Sequence, residues 1–146
     1  MKIKNFIIKL FIIFLIFYSV KADEIEIDSS DIKIQDEGKL IKALNSKINI
    51  PKRKLKIESK VAKYNKQKKI ITFIDDVYFF DEVNNIIIKG DLIKYDENKN
   101  LIYSPEPAEF LIDEKYNLKS NKIYYNRNTN KIYSNEKTTI IDEKNN

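Results

Sequence analysis

A unit of about thirty residues is written four times along this chain, and no other feature narrows the possible folds so far. The clearest copy is Ile88-Lys89-Gly90-Asp91-Leu92-Ile93-Lys94-Tyr95-Asp96. It is preceded by Ile57-Glu58-Ser59-Lys60-Val61-Ala62-Lys63-Tyr64-Asn65 and followed by Leu118-Lys119-Ser120-Asn121-Lys122-Ile123-Tyr124-Tyr125-Asn126. A weaker copy runs Ile27-Asp28-Ser29-Ser30-Asp31-Ile32-Lys33-Ile34-Gln35. Aligned on the tyrosine, the copies share a small residue upstream (Ser29, Ser59, Gly90, Ser120) and an isoleucine downstream (Ile41, Ile71, Ile102, Ile132). One residue type stacked through successive units holds a repetitive sheet in register, so each unit needs its neighbours to bury its apolar face.

The local pattern within each unit is strand, turn, strand. In Leu55-Lys56-Ile57-Glu58-Ser59-Lys60-Val61 the apolar or small residues take every second place, which puts Leu55, Ile57, Ser59 and Val61 on one face. Ile86, Ile88, Gly90 and Leu92 repeat the arrangement, and β-branched residues crowd both stretches at the expense of helical spacing. Each first strand ends in a polar turn (residues 64–69, 95–100 and 125–130) whose Asn and Asp substitute for scarce Gly and Pro. Second strands follow at 40–44, 70–74, 101–104 and 131–134. Acidic or polar breaks at Asp75-Asp76, Glu106-Pro107 and Glu136-Lys137 come next, and the chain resumes at 77–80, 108–112 and 138–141. The expectation is an all-β domain with almost no helix.

With no Cys and no His, the chain has no disulfide, no imidazole base and none of the usual zinc or haem ligands. Its net charge of +5 hints at nucleic acid, but residues 1–22 carry four lysines and no acid. The remainder has 23 basic against 22 acidic residues, with no arginine-rich patch, so no nucleic-acid partner is expected. Residues 1–22 combine a charged start, a short apolar run and the small-residue exit Val20-Lys21-Ala22, the pattern of a cleavable signal peptide. The run falls short of the ~20 residues a membrane-spanning helix needs. A mature domain over 23–146 is the expectation, with the stop at Asn146 reading as a truncation or as an edge left for a partner.

The repeat resembles the OstA-like family of lipopolysaccharide transport, whose members include the bridge protein LptA, the anchored LptC and the N-terminal domain of the translocon LptD. Gly90-Asp91-Leu92-Ile93-Lys94-Tyr95-Asp96 is similar to that family's small-Asp-x-hydrophobic-x-Tyr-Asp strand end. Asp75-Asp76-Val77 is similar to its Gly-Asn-Val turn with the glycine replaced. The likeness spans residues 25–142. It implies a folded-over antiparallel sheet, a β-jelly-roll or β-taco of about four units, located in the periplasm or at the outer membrane. It implies lipid A acyl chains of lipopolysaccharide held on the concave face, and end-to-end strand pairing with other OstA-like domains. No cofactor, metal or catalytic residue is implied.

The candidate lipid-binding residues on that face are Ile57, Val61, Ile71, Phe73, Val77, Phe79, Ile88, Leu92, Ile102, Phe110, Ile112, Leu118 and Ile132. The alternating pattern alone equally describes a sealed sandwich core. Tyr78-Phe79-Phe80 reads as a groove lip or as a strand buried on both faces. The tyrosine column reads as strand-end covers with exposed hydroxyls. Asp75-Asp76, Asp81-Glu82 and Asp113-Glu114 read as solvated turns, and Pro51-Lys52-Arg53-Lys54 as a charged edge or a phosphate contact. The alternative function is a secreted β-solenoid scaffold or adhesin without lipid cargo.

Overall fold

The computed structural model describes residues 24–142. The signal-peptide expectation for residues 1–22 therefore lies outside the described residues. Twelve strands follow one another: β1 (Glu26–Asp28), β2 (Asp31–Gln35), β3 (Leu40–Ile50), β4 (Leu55–Asn65), β5 (Ile70–Asp81), β6 (Ile86–Asp96), β7 (Leu101–Ser104), β8 (Ala108–Ile112), β9 (Tyr116–Ser120), β10 (Ile123–Asn126), β11 (Lys131–Tyr133) and β12 (Thr138–Ile141). The helix among the described residues is two short 3-10 turns, Asp36–Gly38 and Pro51–Arg53. All pairings are antiparallel and join the strands into one open sheet. The solenoid half of the alternative reading is thereby corrected, because a solenoid coil stacks its strands in parallel.

The long strands β3 to β6 each cross a crease, and the short ones pair on one side of it. The first half-sheet contains β2, β7, β10 and β11 with the flanking halves of the long strands. The second contains β1, β8, β9 and β12 with the remaining halves. Small and turn-type residues mark the crease. Ser46 Oγ and Ser59 Oγ meet at 3.1 Å, Ser120 Oγ and Ser134 Oγ at 2.9 Å, and Ser104 Oγ donates to Leu92 O at 2.8 Å. Gly90 lies there by close approach, since a Cβ would sit 3.2 Å from Pro107 O and 3.3 Å from Ala108 Cβ.

Asp75-Asp76 corrects the expected strand break. β5 runs through it as a bulge, with the register against β6 shifting between Ile74 and Val77. Both aspartates have left-handed backbone (φ 60° and 51°), the conformation the replaced glycine would have taken without steric cost. Breaks do occur between β7 and β8 and between β11 and β12, as the sequence predicts.

Turns at both rims stack from one unit to the next. On one rim, Lys66, Glu97 and Arg127 amides donate to Lys39, Lys69 and Asn100 carbonyls at 2.9–3.0 Å. On the other, Glu82 and Asp113 amides donate to Lys54 and Asn85 at 3.1 and 3.0 Å. The acceptors Lys54, Lys69, Asn85 and Asn100 all have φ near +50°, which aims the carbonyl at the next turn.

Candidate functional site

Pairing register turns the sequence columns into continuous rows on the concave face. The tyrosine and isoleucine columns interleave as Ile34-Ile41-Tyr64-Ile71-Tyr95-Ile102-Tyr125-Ile132 across the first half-sheet. Facing it, Ile27-Ile48-Ile57-Phe79-Ile88-Phe110-Leu118-Ile140 crosses the whole second half-sheet. Inward side chains thus form an apolar interior that runs from one sheet edge to the other, perpendicular to the strands.

Of the thirteen candidate residues, Ile57, Ile71, Phe73, Val77, Phe79, Ile88, Ile102 and Phe110 are buried in one cluster, and Ile112, Leu118 and Ile132 pack against it half-buried. The expectation that Val61 and Leu92 face inward is corrected. Alternation slips at the crease, so β4 presents Leu55, Ile57 and Ser59 and then Ala62, while β6 presents Ile86 and Ile88 and then Ile93 and Tyr95. Ile93 is the inward residue that strict alternation misses. The repeated Ser/Gly column was its available signal, because small residues mark where a sheet bends.

Between β4 and β10 the interior is filled. Phe73, Phe79, Phe110, Tyr95 and Tyr125 are fully buried, with Phe79 edge-on to both Phe73 (6.0 Å) and Tyr95 (6.2 Å). At the β1 and β2 end, where Ala43 and Ala62 replace larger residues, a cavity of about 10 Å³ remains among Ile25, Ile27, Ile41 and Ile48. Ile32, Ile34, Ile140 and Ile141 are exposed on the two edges. In the Tyr78-Phe79-Phe80 run only Phe79 points inward, while Tyr78 is exposed.

Opposite the crease, the two rims are clasped by polar side chains. Arg127, from the β10–β11 turn on one rim, forms a bidentate pair with Asp81, at the end of β5 on the other. Nε lies 2.7 Å from Oδ2 and Nη2 lies 3.0 Å from Oδ1. Arg127 Nη2 also donates to Arg53 O at 2.9 Å, and Tyr125 donates its hydroxyl to Asp81 Oδ2 at 2.9 Å. From the second rim, Arg53 donates to the Tyr95 hydroxyl and pairs with Glu97, its guanidinium 5.5 Å from the Tyr95 ring centroid. Tyr95 in turn donates to Asn100 Oδ1 at 2.9 Å.

Three sequence expectations change here. Asp81 belongs to no solvated turn, since its side chain is fully buried. The hydroxyls of Tyr95 and Tyr125 are bonded inside the rim, not exposed. Arg53, in the expected charged edge, reaches across the mouth. Distances of 42 to 74 residues separate the partners that meet across the two rims, so no local pattern could have paired them.

Burial by itself would raise the Asp81 pKa. Hydrogen bonds from Arg127, Asn84 and Tyr125, with the Arg127 charge, outweigh it and hold the carboxyl below its ordinary 3.8. Burial, helped by the bond to Asp81, pushes the Tyr125 hydroxyl far up, and burial raises Tyr95 as well. The clasp is therefore an ion pair with neutral phenols around neutral pH. It has the chemistry of a fastening and not of a proton-transfer site, because the carboxylate has no accessible proton to move and both phenols are held neutral.

No protein-family model matches the sequence, and no curated protein matches it. Among solved structures, the chain is similar to LptH from Pseudomonas aeruginosa, described as the LptA-homologous periplasmic component of the lipopolysaccharide transport device. The TM-score is 0.69 at 11% identity, covering 83% of this chain and 96% of that one. The fold is thus the LptA-like folded-over β-jelly-roll.

Proposed function

We propose that this chain is a periplasmic lipopolysaccharide-transport module that shields lipid A acyl chains between its half-sheets and stacks edge to edge with similar domains. The observation that carries the proposal is the uninterrupted apolar row from Ile27 to Ile140, inside a fold shared with a protein of that transport device. A row perpendicular to the strands is a track that continues wherever another sheet adds to an edge. Each buried acyl methylene is worth about 0.8 kcal/mol, so such a track competes with a bilayer for a chain. Exposed Ile32, Ile34 and Ile140 on the edges support docking there, because they extend the inward rows to the strands that would pair with a neighbour.

The lipid contacts in this reading are Ile57, Ile71, Phe73, Val77, Phe79, Ile88, Ile102, Phe110, Ile112, Leu118 and Ile132. Since the interior is filled, an acyl chain enters only when the half-sheets part, which strains or opens the Asp81–Arg127 and Arg53–Tyr95 clasps. The filled interior also favours a second reading, an exported β-sheet scaffold without cargo. Photo-crosslinking residues placed at Phe73, Ile88 and Ile102, with Val61 and Leu92 on the opposite face as controls, separate the two. The transport reading expects lipopolysaccharide adducts at the first three positions and not at the controls. Adducts nowhere, or equally at all five, would sink it and leave the scaffold.

A further inference from the structure

The convex face of the first half-sheet carries a second ordered row that the lipid reading does not use. Pairing places Lys33, Lys42, Lys63, Thr72, Lys94, Tyr103, Tyr124 and Tyr133 directly opposite one another on eight successive strands. Neighbouring strands lie ~4.8 Å apart, and like charges directly opposite are destabilising. Yet none of these four lysines forms an ion pair with a described carboxylate. The middle of the row floors a cavity of about 580 Å³, within the size range of small-molecule sites. Lys42, Lys63, Lys68 and Lys94 line it together with Thr72 and Tyr103, and no carboxylate does.

From this arrangement we infer that the cavity is a binding site for a phosphorylated saccharide of one or two sugar units. Four ammonium groups around one concavity, none of them in an ion pair with a described carboxylate, suit a multivalent anion, and phosphate is matched by such point charges. Thr72, Asn65, Gln35 and the Tyr103 hydroxyl supply partners for sugar hydroxyls, and Leu40 and Ile70 supply apolar floor for a pyranose face. A nucleotide is disfavoured because Tyr103 has no free face to offer its base. Tyr103 is flanked by the Lys94 ammonium (5.8 Å to the centroid) on one side and Tyr124 (5.8 Å, 19°) on the other, and Tyr124 stacks on Tyr133 in turn (5.1 Å, 10°). The tyrosines therefore offer edges and hydroxyls toward the ligand, not faces. The site lies across the sheet from the apolar interior, so it stands or falls independently of acyl-chain binding.

The test titrates the full isotope-labelled chain with fructose 1,6-bisphosphate, with fructose and inorganic pyrophosphate as comparisons. Backbone amide shifts are followed by NMR. Saturable shifts clustered at Lys42, Lys63, Thr72, Lys94 and Tyr103 are expected, with fructose silent and pyrophosphate at least fivefold weaker. The variant combining Lys42→Gln, Lys63→Gln and Lys94→Gln should bind at least tenfold more weakly, while its unfolding midpoint is unchanged or raised by the loss of repulsion. The same charge removal at Lys115, Lys122 and Lys137 should leave binding within twofold of the parent. Equal weakening in that control variant would overturn the site in favour of net charge. Equal affinity for pyrophosphate would overturn the saccharide. If phosphatidylglycerol vesicles bind through Lys42, Lys63 and Lys94 while the bisphosphate does not, the face is a membrane contact and the proposal fails.

Discussion

Replacing Arg127 by Met removes one half of the clasp and leaves the other half stranded. Asp81 is fully buried, and without the guanidinium its carboxylate keeps only the Tyr125 hydroxyl, the Asn84 amide and the Val83 backbone amide. Breaking a buried ion pair from one side costs about 3–5 kcal/mol, mostly because the remaining charge has lost its compensation. That is a large part of the roughly 5–15 kcal/mol by which a domain is stable. With a urea m-value of about 2 kcal/mol/M, the midpoint should fall by about 2 M. The double replacement Asp81→Leu with Arg127→Met should recover most of the loss, since it leaves no buried charge. The pH dependence has a definite sign. The folded Asp81 pKa lies below its ordinary 3.8, so the ion pair stabilises the fold above pH 3.8. That contribution fades as pH falls through the depressed folded value, and the parent and Arg127→Met should converge there. Equilibrium urea unfolding between pH 7 and pH 2.5 measures both effects. A cost below about 1 kcal/mol at pH 7, the range of an exposed pair, would refute the claim that this clasp holds the rims together.

Other perturbations probe other parts of the fold. Phe79→Ala empties a fully buried site between Phe73 and Tyr95 and should cost about 3–5 kcal/mol in the same unfolding assay. Gly90→Val should destabilise by about 1–3 kcal/mol, because even a Cβ crowds Pro107 and Ala108, whereas Val at a free strand position would be favourable. Asp75→Gly should raise stability by up to about 1 kcal/mol by relieving the left-handed backbone of the bulge, read as a higher thermal midpoint. Ile32→Lys together with Ile140→Lys should leave the monomer folded and abolish edge-to-edge association, measured by light scattering at increasing concentration.

Much of the architecture was legible in the residues themselves. A thirty-residue repeat with alternating character, β-branched strands and Asn/Asp turns specifies an all-β domain of repeated strand–turn–strand units, whose tyrosine, isoleucine and small-residue columns align one unit with the next, while the antiparallel, folded-over sheet was implied only by the family resemblance. Those are short-range properties, because alternation and turn chemistry act within a few residues. They also placed eleven of the thirteen candidate interior residues in or against the core. Val61 and Leu92 failed because a period of two holds only while a strand stays regular, and the crease shifts the side facing inward by one residue. Asp81, Arg53 and Arg127 gave no local sign of their role. Asp81 ends a strand and Arg53 and Arg127 sit in turns, all amid residues of ordinary surface composition, and only folding the sheet at its crease brings one rim onto the other. The sequence by itself determined that the chain is made of strands and polar turns and which side chains recur at equivalent places in successive units. The tertiary structure decided where the sheet bends, which charges that bend buries, and that the mouth of the apolar interior is fastened by an ion pair.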